Sequence, residues 1–418
     1  MQSKKYVLII LFIGILGLFL AACTAASTQT NGNTTTTAPT EAVAQVQATA
    51  TAVPVTNTPA PTETPVPTDT PIPPTKEPTA TVEPPTPEAT PLPDGWYDLS
   101  NFPDDMNPLT GEIVDDPAVL DRRPIALKIS NYPPLVRPQH GLNRADLVFE
   151  HLAEGGATRF TAVYYSKDAH TVGSIRSARI IDFEIPVMYD AALGYSGSAG
   201  GNKDRFALVD WFDRIVSPDF GHGGYYRDYP EQVEGEEEID FWHTMFTNTE
   251  RIRAILQERG LDVAPQLQNS MVFSEKPAAG GTPAKEIEIR YSGNDAFWWY
   301  DQSDSRYYRW TDGERHLDAN YDEQVNFKNI VVVAAEHVES WIMETEVGQG
   351  AHSIEIQIWG EGPVSIFRDG QRFDGHWERK DPKDMLTFYD EDGNSIPLAP
   401  GNTWFQMVPL GFEKLIVD

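Results

Sequence analysis

From Thr24 to Pro93 the chain is built mostly of Thr, Ala, Pro and Val, with Thr58-Pro59, Thr64-Pro65, Thr70-Pro71 and Thr79-Ala80-Thr81 recurring along it. Such a segment cannot bury enough apolar surface to offset the entropy of ordering, so a disordered tether is expected over residues 24–94. Folded structure is thereby confined to the residues after the tether. Of the 418 residues, about 320 remain beyond position 94, enough for one large domain or two ordinary ones. Proline at this density favours extended polyproline II, so roughly 70 residues at about 3.1 Å each reach on the order of 200 Å.

Ahead of the tether, Lys4 and Lys5 precede an almost unbroken apolar run from Tyr6 to Phe19, and Leu20-Ala21-Ala22-Cys23 supplies the small residues of a processing site. Residues 1–23 therefore read as a signal peptide. The tetrapeptide resembles the bacterial lipobox, which implies that the Cys23 sulfur is diacylated and becomes the mature N-terminus. The other reading is an uncleaved membrane helix, for which the run is barely long enough. Both put the remainder on the extracytoplasmic face of the bacterial cell membrane, with the membrane itself as partner. A doubly acylated terminus holds stably where one chain binds only marginally.

Cys23 is the only cysteine, so the folded part has no disulfide, no thiolate metal ligand and no cysteine nucleophile. Its core must rest on apolar burial, for which ten Trp, sixteen Tyr and nineteen Phe are ample. The formal charge of -30 favours solubility and argues against nucleic acid as a partner, since that needs basic groups on phosphates. No HExxH, P-loop or Gly-x-Ser-x-Gly is present and the nine histidines are scattered, so neither a metal nor a cofactor is expected.

Residues 95–260 read as a mixed α/β unit. Alternation over Ile125-Ala126-Leu127-Lys128-Ile129-Ser130 suggests a strand. The segments Ala145–Glu154 and Ala157–Tyr164 flank Gly155-Gly156, read as a two-residue hairpin loop. Pairing outward from that loop sets Glu154 across from Ala157, Leu152 from Arg159 and Glu150 from Thr161, so that Glu150, Glu154 and Arg159 share one sheet face. Next, Ile180 to Tyr189 has helical spacing with Ser177 as candidate N-cap. Arg176 and Arg179 would stand at the positive end of that helix, an unfavourable place that suggests an anion site. The alternative is that Asp182 or Glu184 pairs with them structurally. The loops carrying Arg227 and His243 add two further candidates, although a lone His among aromatics more often belongs to a core. Thr247-x-x-Glu250 reads as a capping box and Gly260 as the stop of a short helix.

Asn107-Pro108-Leu109-Thr110-Gly111, Arg137-Pro138, Ala145-Asp146-Leu147-Val148-Phe149-Glu150, Glu154-Gly155-Gly156-Ala157-Thr158-Arg159 and Arg176-Ser177-Ala178-Arg179 occur in that order over about 140 residues. Together they resemble the YerB-like lipoproteins of bacterial envelopes. The resemblance implies a two-part envelope lipoprotein and supplies no reaction. Ala-Gly-Gly and Pro-His-Asn elements of that family are matched only in part, by Gly197-Ser198-Ala199-Gly200 and Trp242-His243-Thr244.

Residues 261–284 are rich in Pro and Gly and read as a linker. Beyond them, residues 285–418 form a β-rich unit, with Phe297-Trp298-Trp299-Tyr300 and Tyr307-Tyr308-Arg309-Trp310 among its strands and Asp312-Gly313 and Asp369-Gly370 as turns. Strand parity sets Trp299 opposite Trp298 and Tyr300. Phe367-Arg368-Asp369-Gly370 and Pro400-Gly401 with Thr403-Trp404 continue the family resemblance. The fold class expected is α+β, a mixed unit followed by a β-rich one, behind a signal peptide and tether.

Three functions fit. The first is binding of an anionic, cell-wall or glycan ligand through Glu150, Glu154, Arg159, Arg176, Arg179, Arg227 and His243, with Arg159, Arg176 and Arg179 as anion contacts. The second is hydrolysis of envelope polymer with Glu150 and Glu154 as the acid/base pair and His243 as a candidate second base, although strand geometry sets the two carboxylates about 13 Å apart along the backbone, beyond the roughly 5 to 9.5 Å of a glycosidase pair. The third is a structural partner without a small ligand.

Overall fold

The computed structural model describes residues 92–229, 238–344 and 350–418. The signal segment with Cys23, nearly all of the tether and most of the acidic stretch 231–240 lie outside them. In chain order the principal strands are β1 (Ile125–Ser130), β2 (Leu147–Leu152), β3 (Thr158–Tyr164), β4 (Ala192–Gly194), β5 (Ile215–Val216), β6 (Thr282–Pro283), β7 (Glu286–Arg290) and β8 (Asp295–Asp301). After these come β9 (Arg306–Thr311), β10 (Asn329–Met343), β11 (His352–Gln357), β12 (Gly360–Arg368), β13 (Gln371–Arg379), β14 (Thr387–Tyr389), β15 (Thr403–Pro409) and β16 (Leu415–Val417). Helices are few and short, the longest described being Thr249–Glu258, so the fold is α+β and rich in strand.

Among the described residues, twelve strands make one mixed sheet in the order β6-β13-β12-β10-β15-β2-β3-β1-β4-β5, with β11 on β10 and β14 on β13. β15 runs parallel to both of its neighbours, β10 and β2. Strands from both sides of residues 261–284 thus share one sheet, the two halves meeting where β15 pairs β2, within the compact unit Thr86–Asp418. The segment itself supplies β6 and the strand Phe273–Ser274, which pairs Trp96–Tyr97.

Apolar layers cover both faces of this sheet. On one, Phe149, Val163, Leu193, Val331 and Phe405 pack with Ile181, Ile185 and Tyr189. On the other, Ile129, Val148, Phe160, Ala162 and Trp404 meet the second sheet through Ile287, Ile289, Trp298 and Tyr307. That second sheet runs Glu314–Arg315, β9, β8, β7, β16, with Asn326–Phe327 pairing β9. Its inner face alternates as expected: Trp298 and Tyr300 are buried, while Trp299 is exposed. Double coverage explains why β1, though it reads as amphipathic, is buried at every position.

Three expectations need correction: the hairpin, the helix over 180–189 and the cap of the Thr249–Glu258 helix. The hairpin between β2 and β3 closes with Ala153 N–H on the Ala157 carbonyl at 2.8 Å, leaving Glu154, Gly155 and Gly156 as a three-residue turn. Both glycines take positive φ, 76° and 78°. The register moves by one, so Glu150 pairs with Phe160 and His151 with Arg159. One residue of slip sends alternate side chains to the other face, and Glu150 and Arg159 therefore lie on opposite sides of the sheet.

The helix expected over 180–189 is instead a 3-10 turn, Ile180–Phe183, followed by a separate single turn, Ile185–Met188. Pro186 has no N–H to extend the first turn and is suited to opening a new one. Arg179, not Ser177, flanks the first turn, its N–H donating to Asp182 Oδ2 at 2.6 Å. Asn248 likewise, rather than Thr247, caps the Thr249–Glu258 helix, its Oδ1 accepting from Arg251 N–H.

Candidate functional site

The antiparallel register of β1 and β3 sets Lys128 beside Thr161 and Ser130 beside Arg159. Along the other side of β1 runs the extended segment 174–176, bridged through Ile129 and Ile175, with Ser130 N–H on the Ser174 carbonyl and Arg176 N–H on the Lys128 carbonyl. Side chains alternate along extended chain, so two polar rows cross one face: Ser174, Ser130, Arg159 and His151, then Arg176, Lys128 and Thr161. The 3-10 turn at Ile180–Phe183 brings Asp182 down onto the second row.

Asp182 and Lys128 are wholly buried and ion-paired at 2.7 Å. Thr161 Oγ1 donates to Asp182 at 2.7 Å, and Lys128 Nζ also meets Thr161 Oγ1 at 2.9 Å and His151 Nε2. Burial lowers the Lys128 pKa to about 8 against the pull of Asp182, and burial together with Lys128 holds His151 well below the ordinary imidazole range. Lys128 and Asp182 were not singled out from sequence as site residues. The available signal was that Lys128 and Ser130 sit alternately on a strand whose other members are all apolar.

The three arginines divide. Arg179 is a structural ion-pair residue, 2.7 Å from Glu154 and 3.3 Å from Glu344, and it donates to the Ala178 carbonyl. Arg159 and Arg176 have no carboxylate within ion-pair reach among the described residues. Arg159 donates to the Ser177 carbonyl at 3.0 Å, and burial with Arg179 and Arg176 nearby pushes its pKa well down. Arg176 is half-buried, its Nε has no hydrogen-bond partner, and burial with Arg179 beside it lowers its pKa to about 10. The carboxylates that were to neutralise them are engaged elsewhere, Asp182 with Lys128 and Glu184 with Arg379 at 2.8 Å.

His243 is buried on the same side, its Nδ1 3.4 Å from Ser130 Oγ. Burial and Arg176 drop its pKa to about 4, so it is neutral at neutral pH. Arg227 contributes indirectly: its guanidinium stacks over Phe241 at 3.3 Å and donates to Thr244 Oγ1, which clamps the turn carrying His243.

Glu150 lies apart from all of these. With Arg309 it forms a pair 3.0 Å long, both side chains at 0% exposure, between the sheets. Arg309 is ringed by Phe160, Trp298 and Trp404, and Trp404 Nε1 donates to Glu150 Oε2. Glu150 and Glu154 thus occupy opposite sheet faces and cannot flank one scissile bond.

Two family models match this chain: "Protein of unknown function (DUF3048) N-terminal domain" over residues 109–262, and the corresponding C-terminal domain over 287–405. A protein of Bacillus subtilis (strain 168), "Putative lipoprotein YerB", is 28% identical over 309 residues, covering 72% of this chain and 86% of the relative. The crystal structure of the YerB protein from Bacillus subtilis superposes with a TM-score of 0.62 at 25% identity, covering 75% of this chain and 99% of that one. The chain belongs to the YerB-like family. Its N-terminal family segment holds Lys128, Glu154, Arg159, Arg176, Arg179, Asp182, Arg227 and His243, and from its C-terminal segment Glu344 reaches Arg179 while β11 packs against the turns that carry Glu154 and Asp182.

Proposed function

We propose that the protein is an envelope lipoprotein, anchored by acyl chains on Cys23 at the extracytoplasmic face of the bacterial membrane and carried on the 24–94 tether. We infer that it binds an anionic cell-wall or glycan ligand through Arg159 and Arg176. The name of the Bacillus subtilis relative and the Leu20–Cys23 processing pattern support the anchor. No helix among the described residues is long and apolar enough to cross a membrane.

The observation that carries the binding reading is Arg176. A half-buried guanidinium with an unpartnered Nε, beside Arg179 and with no carboxylate in ion-pair reach among the described residues, is a charge that Asp240 offsets only in part. A phosphate or carboxylate bridging Arg159 and Arg176 would complete the pairing with charge-assisted hydrogen bonds. The anion contacts come from guanidinium groups rather than a helix N-terminus, because the turn beginning at Ile180 is too short to offer one.

Calorimetric titration of the full chain in detergent with inorganic phosphate tests this. Wild type is expected to bind and Arg176→Ala to lose at least about tenfold in affinity, the equivalent of one charged hydrogen bond. Equal binding by both would remove the site from this face. Acyl labelling that persists in Cys23→Ala would sink the anchor.

A further inference from the structure

Beside the arginines lies a cavity of about 190 Å³ whose polar lining includes Ser174, His140, His243 and Asp228. Ser174 is 3% exposed and its Oγ has no hydrogen-bond partner among the described residues. A buried hydroxyl left unmatched is rare, because its desolvation is not compensated. Ser174 and Arg176 are two apart on one extended segment and so project to the same side. Their orphaned atoms, Ser174 Oγ and Arg176 Nε, belong to one surface, and His243 joins them: it lines the cavity and feels the charge of Arg176 and Arg159.

The cavity's chemistry differs from that of the arginine row. Leu135, Val136, Pro138, Ile239 and Phe246 give it an apolar wall. Its imidazoles are held neutral by burial, and each can offer one donor and one acceptor. The cavity's own arginine, Arg137, is committed to Asp312 at 2.6 Å and to the Asn131 carbonyl, so it adds no free charge. At about 190 Å³ the cavity falls below the roughly 300 to 1,000 Å³ of drug-sized sites, which suits a single ring. A ring with an apolar face and several hydroxyls matches this mixture. Trp242 and Tyr132, neighbours of His243 along the chain and of Ser130 through its hydroxyl, leave 59% and 52% of their surface exposed, available for stacking a further ring.

We propose that the arginine row and this cavity are two halves of one site for an acidic saccharide, the anion on Arg159 and Arg176 and the adjoining sugar ring against Ser174, His140 and Phe246. This rests on the anion reading above and gives it a substrate class.

The test compares inorganic phosphate with glucose 1-phosphate, N-acetylglucosamine 1-phosphate and glucuronate, by calorimetry on the full chain in detergent. At least one sugar acid is expected to bind about tenfold or more tighter than phosphate. Ser174→Val, which removes the hydroxyl and fills the cavity, is expected to abolish that advantage while leaving phosphate affinity unchanged. Arg176→Ala should weaken phosphate and sugar acid alike. Phosphate binding with no gain from any of the three sugars would overturn the joint site and leave the anion reading standing. An advantage that survives in Ser174→Val would do the same. No binding of phosphate or of any sugar acid would overturn both.

Discussion

A lysine with no solvent contact is an expensive residue, and Lys128 is tolerable only because Asp182, Thr161 and His151 surround its ammonium group. Removing one partner of such a pair leaves a buried charge alone, which typically costs about 3–5 kcal/mol, whereas replacing both can be nearly neutral. Lys128→Met should therefore lose about that much in urea unfolding, and Lys128→Met with Asp182→Asn should recover most of it. An equal loss in the single and double variants would mean that the pair is not the reason. The pH dependence has a definite sign. The folded pKa, about 8, lies below the ordinary 10.5, so between those values the unfolded chain holds a proton that the folded one has released. Stability then rises with pH through that window. Across it, wild type should gain on the double variant. Glu150 and Arg309 follow the same rule on the opposite face, and there the charge is enclosed by aromatic rings.

At the scale of elements, the β2–β3 turn decides which residues can meet. Gly155 and Gly156 both adopt the left-handed region, where a side chain is strained by roughly 1–2 kcal/mol. They differ in surroundings: a Cβ at Gly155 meets open space, while one at Gly156 would fall 2.0 Å from Ser292 Oγ. The Gly156 carbonyl also receives the Gly293 N–H at 2.9 Å, tying the turn to the second sheet. Gly156→Ala should thus destabilise clearly more than Gly155→Ala in denaturant melts. Identical losses would show the contact with Ser292 to be unimportant. The same turn shows what sequence can and cannot reveal. The strand at β1, the alternation in β8 and β9, the Asp-Gly turns and the Gly260 stop were legible, because each is a local preference. Whether Gly-Gly closes with two residues or three depends on what packs against the turn, and that contact comes from a residue more than 130 positions away. The helix over 180–189 was misjudged for a local reason, since Pro186 stood in the sequence as a breaker. Arg159, Arg176 and Arg179 were recognisable as a group, but their division into one structural and two unpaired guanidiniums was not. It turns on Glu344 and Glu184, whose partners are set by long-range packing.

For the molecule as a whole, burial acts on the histidines in concert. His140, His151, His222, His243, His316 and His337 are all held below the ordinary imidazole value, in each case with burial as the leading cause. A histidine whose folded pKa is lowered contributes stability that is lost as pH falls below the unfolded value of about 6.5. The melting temperature should accordingly drop between pH 7 and pH 5, before most carboxylates titrate, with more than one proton taken up on unfolding. A flat profile over that range would mean these imidazoles are protonated in the fold at little cost. Acidic surroundings would in that case be harmless to the protein, contrary to what its interior implies. The position of β15 has a consequence of another kind. It occupies the middle of the large sheet, yet it follows every other strand of that sheet in the chain. Until residues 403–409 arrive, β2 and β10 each present a bare edge toward a gap, and no strand joins the two halves of the sheet. A chain made from its N-terminus cannot close this sheet before residues 403–409 have followed, so neither half completes its hydrogen bonding early, however fast its own hairpins form.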